Sequence, residues 1–432
     1  MLYFSTNHQA PHVDFRTATI KGQAPDKGLY FPESIPTLPA GFFKELKNRS
    51  KEDIAFEVIR PYIGETISER DLYTIVSETV NFDFPLVEVS KGLFTLELFH
   101  GPTLAFKDVG ARFMSRCLGH FSKEVDQKIV VLVATSGDTG GAVANGFYGV
   151  DGVEVVILYP SGKVSSVQEK QLTTLGNNVH ALEVKGNFDD CQAMVKKAFA
   201  DEKLCAELFL TSANSINVAR WLPQQFYYFY AAQQWQGKTP PVISVPSGNF
   251  GNICAGAMAY RSGLPVQHFV ASCNANDMIP GYFAGGKLEP KAAIATISNA
   301  MDVGNPSNFV RILNIFNNQF PELTSMMSSY SFSDAETREE LKRVKEQDNY
   351  LLDPHGAVGL LGLKKYLREN NLHEGYFLET AHPVKFYDVV EPITGEPVPV
   401  PDIIKAILPL EKKSTVIEAE YGELKGFLGL IK

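Results

Sequence analysis

From residue 92 onward, two hydrophobic periods alternate along the chain. Phe94-Thr-Leu-Glu-Leu-Phe99 alternates apolar and polar with a period of two and predicts a strand. The pattern then predicts strand 128–134, helix 141–149, strand 154–159, helix 164–175, strand 179–184 and helix 188–204. A long aromatic helix over 218–235 follows, then strand 242–245, helix 252–261 and strand 267–271. Strands alternating with helices of this length imply βαβ units and parallel sheets. Before residue 90 the texture is mixed: 22–32 is rich in turn residues and 54–63 reads as helix. Residues 274–306 are irregular and rich in Gly, Pro and Asn, more like a functional loop than a linker. Ser333-Asp-Ala-Glu336 is a capping box opening a charged helix to about residue 347, 356–366 reads as a further helix, and 376–378 as a short strand. The expected fold class is α/β, with two parallel-sheet lobes and an N-terminal mixed α/β addition. The corresponding domains are 1–90, a large one from 91–120 with 206–432, and a small one over 121–205.

Composition narrows the class of protein. With 432 residues, 44% hydrophobic and 21% charged, the chain is an ordinary globular protein of more than one domain. A net charge of −9 argues against nucleic acid or an anionic membrane as main partner. Five cysteines (Cys117, Cys191, Cys205, Cys254, Cys273) are scattered without CxxC spacing. That usage suggests neither a disulfide framework nor a cysteine zinc site, and a reducing cytoplasm is the expected compartment. The N-terminus lacks a signal-peptide pattern and no apolar run is long enough to span a bilayer, so a soluble intracellular protein is expected.

Three turns carry candidate chemistry. In His100-Gly-Pro-Thr-Leu-Ala-Phe-Lys-Asp-Val-Gly-Ala-Arg-Phe113, a Gly-Pro turn precedes a helical pattern and places Lys107 near a helix N-terminus. The positive end of the helix and an apolar setting both disfavour an ammonium there, and a neutral lysine is a base or Schiff-base nucleophile. Thr135-Ser-Gly-Asp-Thr-Gly-Gly141 and Ser247-Gly-Asn-Phe-Gly-Asn252 each follow an apolar strand and open a helix. Free backbone N–H groups at such turns suit an anion, and glycines allow it close approach. Two such turns beside a helix-head lysine point to a small anionic ligand held between lobes. Other chemistries fail on spacing. Gly237-Lys238-Thr239 lacks the upstream glycine of a Walker motif and runs into Pro240, no HExxH or HxxxH accompanies the histidines, and there is no GxSxG. No metal site is expected.

The wording of these turns resembles threonine synthase, a pyridoxal-5'-phosphate (PLP) enzyme family of the tryptophan-synthase-β-like fold, in its longer bacterial and fungal type. The resemblance covers nearly the whole chain. Its motifs are Ala24-Pro-Asp-Lys-Gly-Leu-Tyr-Phe-Pro32, His100 to Asp108, Thr135 to Gly140, Asn214-Ser-Ile-Asn217, Ser247 to Asn252, Asp353-Pro-His-Gly-Ala357 and Thr380-Ala-His-Pro383.

The resemblance implies that the large domain holds PLP, with Lys107 bound to it and later acting as base on the substrate. Gly248, Asn249, Phe250, Gly251 and Asn252 would cradle the cofactor phosphate, and Thr380 would meet the ring nitrogen. A hydroxyl there cannot hold a proton on the ring as a carboxylate would. Asp138 would lie against the cofactor where many relatives of the fold carry Asn. Thr135, Ser136 and Thr139 would receive the substrate carboxylate, and Asn214, Ser215 and Arg220 its phosphate. The implied reaction converts O-phospho-L-homoserine and water to L-threonine and phosphate, the last step of threonine biosynthesis, by a monomer or homodimer. Phe106 and Asp108 also read as packing and helix-start residues, and His382 as a structural histidine. The rival readings are another PLP lyase of this fold, such as a serine or threonine dehydratase, and a catalytically idle phosphate-binding relative.

Overall fold

The structure is a computed structural model that describes residues 1–123 and 128–431. Its strands in chain order are β1 (Tyr3–Ser5), β2 (Tyr30–Pro32), β3 (Leu86–Ser90), β4 (Leu93–Glu97), β5 (Ile129–Ala134), β6 (Val153–Pro160), β7 (Val179–Lys185), β8 (Phe209–Ser212), β9 (Val242–Pro246), β10 (His268–Cys273), β11 (Met327–Ser331), β12 (Gly375–Glu379) and β13 (Thr415–Glu418). β1 and β2 form a small antiparallel pair. One larger sheet has the order β11-β10-β9-β12-β4-β3, parallel except for β3 against β4. The other, β13-β7-β6-β5-β8, is parallel throughout. Central strands such as β5 (Ile-Val-Val-Leu-Val-Ala) and β9 (Val-Ile-Ser-Val-Pro) are buried along their whole length. Continuous apolar runs of this kind mark strands covered on both faces, as parallel sheets require.

Sheet membership departs from the expected segments at two places. β8 and β13 both lie within 206–432, yet both hydrogen-bond into the five-stranded sheet rather than the one containing β4. The C-terminal helix Tyr421–Leu430 follows β13 and packs Leu424 and Leu428 into the core of that sheet. Residues 383–430 also hold helices Tyr387–Thr394 and Asp402–Ile407, short elements that the hydrophobic pattern did not reveal.

Two predicted helices are broken. The aromatic stretch 218–235 divides into Val218–Trp221, a 3-10 turn Leu222–Gln224 and helix Gln225–Gln234. Pro223 lacks an N–H and crowds the preceding turn, which accounts for the break. The second element ends at Ala200, and the Asp201 side chain caps a new helix, Glu202–Glu207. The irregular stretch 274–306 contains helix Met278–Gly285. Asn274 closes that stretch through bonds of 2.8 Å to both Thr296 Oγ1 and Asp302 Oδ1. The N-terminal segment braces helix Lys107–Ser122, with Phe15 packed against Phe113 and Phe121.

Candidate active site

Parallel pairing lines up the C-terminal ends of β9, β12 and β4 on one sheet and of β5 and β8 on the other. Those ends are where ligands bind in open α/β folds. Each candidate turn leaves one of them. The chain leaving β4 reaches Lys107, Thr380 follows β12, 247–252 follows β9, 135–140 follows β5, and 213–217 follows β8.

Lys107 is the first residue of its helix, as the Gly-Pro turn predicted. The segment that delivers it is fixed from two sides. Phe106 N–H donates to the Thr380 carbonyl at 2.8 Å and His382 N–H to the Leu104 carbonyl at 3.0 Å, so 104–106 pairs with 380–382. Asp108 accepts from Thr103 N at 2.9 Å and from Thr103 Oγ1 at 2.5 Å, closing the turn. Asp108 is thus a buried turn lock. His382 Nδ1 accepts from Val384 N at 3.1 Å, and burial pushes the imidazole down to about 4, which suits a neutral structural acceptor.

The Lys107 amine lies 3.8 Å from Asp138 Oδ2, with 16% of its side-chain surface open against 4% for Asp138. The lysine is therefore the member of the pair that a ligand can reach. Burial lowers its pKa; Asp138 opposes that shift, and Lys385 and Arg220 add to it. Burial pushes the Asp138 carboxyl up, but Lys385, then Lys107 and Gln168, outweigh it and hold Asp138 ionised, well below the usual carboxylate range. Lys385 Nζ lies 3.0 Å from Asp138 Oδ1, and the residue was not among the sequence candidates. Its only signal was its place two residues beyond the Thr380–Pro383 motif.

The 135–140 turn is organised by Thr135. Its Oγ1 accepts from Gly137 N at 2.9 Å and Gly140 N at 2.8 Å, so this hydroxyl holds the turn together. Gly137 has φ +133°, and a Cβ there would meet the Gln168 amide within 2.6 Å. Ser136 and Thr139 are half-buried, and Asp138 heads the following helix.

In the 247–252 turn the left-handed residue is Phe250 (φ 62°), not either glycine, and it precedes helix Gly251–Arg261 with no side-chain cap. The Asn252 Oδ1 takes the Ile253 N–H at 2.9 Å, which leaves the Gly251 and Asn252 N–H groups to an external acceptor. Gly248 is the position where space is decisive, since a Cβ there would lie 2.6 Å from the Met301 Cα. At Gly251 a Cβ would meet nothing closer than 3.5 Å.

Asn249 ties this turn to the one after β8. Its Nδ2 donates to Ser215 Oγ at 2.5 Å and its Oδ1 accepts from Ser307 N at 2.7 Å. Ser215 Oγ accepts also from Asn308 Nδ2 at 3.1 Å. The Asn252 side chain turns back to the Pro246 carbonyl at 2.9 Å. Arg220 is buried, its Nη1 donates to the Ala213 carbonyl, and its Nε has no hydrogen-bond partner. A methyl at Gly110, one turn beyond Lys107, would lie 3.2 Å from that Nε, which places Arg220 beside the lysine helix. Asn214 is half-buried next to Ser215.

Arg311 was also missed. It lies fully buried over the Trp221 ring (4.7 Å) and donates to the carbonyls of Tyr30, Ser215 and Ile216. It therefore holds the 213–217 turn and adds a positive charge beneath it. Nothing local in 307–315 distinguishes it from a surface arginine.

These donors fit PLP. A partly open lysine of lowered pKa suits the aldehyde, and an uncapped helix start behind a sterically restricted glycine suits its phosphate. A family model described as "Pyridoxal-phosphate dependent enzyme" matches residues 84–379, and fold and site together define a PLP-dependent lyase. Models described as "Threonine synthase N terminus" and "Threonine synthase, C-terminal" match residues 2–80 and 356–428. Threonine synthase of Haemophilus influenzae is 42% identical over 430 residues, 99% of each chain, and that of Escherichia coli 40% over 426 residues, 98% of each. The crystal structure of the Escherichia coli enzyme superimposes with a TM-score of 0.92 at 38% identity over 100% of both chains. The PLP-bound threonine synthase from Brucella melitensis gives 0.93 at 35% identity, covering 99% of this chain and 98% of that one. Maize serine racemase, at 16% identity and a TM-score of 0.54, shares only the fold. The chain belongs to the threonine synthase family.

Proposed function

We propose that this site converts O-phospho-L-homoserine and water to L-threonine and phosphate with Lys107 as the residue that carries PLP. Family membership sets the activity. The observation that carries the residue assignment is the partly open Lys107 amine 3.8 Å from a buried Asp138. When bound, PLP supplies an electron-withdrawing ring that acidifies the carbons beside the substrate amine. The remaining work belongs to the chain. Lys107, whose ammonium form burial disfavours, would hold the cofactor and move protons at the substrate's carbon framework. Backbone N–H groups of 248–252 hold the cofactor phosphate, Thr380 offers a hydroxyl to the ring nitrogen, and Asp138 keeps a negative charge beside Lys107.

Ser136 and Thr139, at the start of a helix whose Gly140 N–H is taken by Thr135, are proposed to receive the substrate carboxylate, with Thr135 shaping their turn. Arg220, whose Nε is unpartnered, is proposed to bind the substrate phosphate with Asn214. Ser215 would support both turns through Asn249. Among the described residues no helix is long and apolar enough to cross a membrane, and all five cysteines are unpaired. A cytoplasmic monomer or homodimer is proposed from the family resemblance, with which these features are compatible. The test is to supply O-phosphohomoserine to the PLP-loaded protein and follow phosphate and threonine together. Equal amounts of both support the reading, whereas phosphate without threonine, or turnover of serine alone, overturns it.

A further inference from the structure

Asp138 stands between two lysines. Its Oδ1 is 3.0 Å from Lys385 Nζ and its Oδ2 3.8 Å from Lys107 Nζ. Lys385 is completely buried, and its Nζ also donates to the Thr103 carbonyl at 2.8 Å. Gln168 Nε2 donates to Asp138 Oδ1 at 2.9 Å. The other charged or titratable groups facing this cluster are Arg220 and Asp353 toward Lys107, His355 toward Asp138, and Asp108 and His382 toward Lys385. No role assigned so far uses Lys385.

The charges explain why a buried lysine belongs here. With one carboxylate and a single lysine, the buried negative charge is satisfied only if that lysine keeps its proton. A second lysine at the shorter distance removes the requirement. The Asp138–Lys385 pair is neutral by itself, and Lys107 can lose its proton without leaving an uncompensated buried anion.

We propose that Lys385 is the counter-ion of Asp138 and acts as a positioning residue for Lys107, leaving the Lys107 amine free to be the neutral nucleophile. This rests on the reading of Lys107 as the cofactor-bearing residue. Its carbonyl anchor at Thr103 lies on the same turn that Asp108 closes, so the ion pair and the lysine helix are held in one frame.

The test compares the full-length protein with Lys385→Met, Lys385→Arg, Asp138→Asn and the double variant Lys385→Met/Asp138→Asn. Each protein is stripped of PLP and labelled with acetic anhydride across a pH series, and Lys107 acetylation is followed by peptide mass spectrometry. Lys385→Met is expected to raise the midpoint of Lys107 labelling by about one pH unit, roughly a tenfold slower reaction at neutral pH. Lys385→Arg should keep the original midpoint, and the double variant should return to it because the carboxylate has gone as well. Asp138→Asn alone should lower the midpoint, since Lys385 is then unpaired beside Lys107, and this result remains readable if Lys385→Met fails to fold. An unmoved midpoint in both folded single variants, or a double variant that stays displaced, would overturn the proposal. Borohydride reduction of the PLP-loaded parent separates the two readings. If the cofactor mass is not on Lys107, the Lys107 assignment itself fails; if it is there and the midpoints do not move, only the role of Lys385 fails.

Discussion

The carboxyl groups of Asp353 and Glu379 meet in the core, both fully buried, an arrangement that favours the protonated form of Glu379. Burial is the largest reason that the Glu379 carboxyl is pushed well above its usual range, and the Asp353 charge adds to it. Glu379 Oε1 also accepts from Asp353 N at 2.6 Å, and Gly356 makes room for the carboxyl: a Cβ there would fall 1.4 Å from Oε2. Asp353 Oδ1 in turn accepts from His355 Nδ1 at 2.5 Å, and His355 Nε2 accepts from Ala300 N at 3.2 Å. Glu379 precedes Thr380 and Ala300 precedes the residue packed on Gly248. One hydrogen-bonded chain therefore links the end of β12 to the loop behind the 247–252 turn.

A protonated carboxyl donates and accepts as an amide does, so Glu379→Gln should keep activity within about threefold, since the hydrogen bonds are retained. Stability should respond to pH in a defined direction. The folded state keeps the Glu379 proton and the unfolded chain releases it above the usual glutamate range, so the parent loses stability as pH rises from about 4.5. Glu379→Gln has no such loss and should gain on the parent at pH 8 relative to pH 5. Urea midpoints of both proteins at the two pH values check this, and a constant difference would place the Glu379 charge elsewhere.

Lys107→Ala should lower threonine formation by roughly four orders of magnitude or more while the circular dichroism spectrum stays that of the parent. The side chain is partly open and its loss leaves the Thr103–Asp108 lock untouched. A folded variant that still forms threonine at more than a trace rate would remove Lys107 from the mechanism.

Gly248→Ala and Gly251→Ala should differ. The first forces a methyl against the backbone at Met301, an overpacking that costs about 1–3 kcal/mol, or roughly 5- to 150-fold in PLP affinity. At Gly251 the nearest atoms are in ordinary contact and φ is not positive, so PLP retention should be nearly unchanged. Titration of PLP into each stripped variant measures both, and equal affinities would count against a phosphate held at 248–252.

Arg220→Leu should cost about 2–5 kcal/mol in kcat/KM for O-phosphohomoserine, or roughly 30- to several-thousand-fold. Any phosphate-free amino acid processed slowly should suffer much less, and PLP content should persist because the 248–252 turn is intact. Comparable losses on both substrate types, or loss of PLP, would mean that the two phosphate positions have been exchanged.

Much of this architecture was legible before any coordinates. The period-two and helical runs from 92 to 271 marked the parallel strands and their crossovers because periodicity is a local property, set by which face each residue must bury. The Gly-Pro turn placed Lys107 at a helix start for the same reason: backbone restrictions act within a few residues. Pro223 and Asp201 were visible too, but their cost was outweighed in the reading by the long apolar pattern around them.

What only the tertiary structure decided is everything that depends on distant neighbours. β8 and β13 could not be assigned to a sheet, since short strands carry little pattern and pairing partners lie far along the chain. Ser215 read as a ligand contact, and only the fold shows that its oxygen also accepts from Asn249 and Asn308. Lys385 and Arg311 looked like any solvated cation until they were buried, one against Asp138 and the other under the 213–217 turn. Sequence sets a residue's intrinsic acidity and reach, while burial and the charges around it set its protonation, and those belong to the assembled neighbourhood.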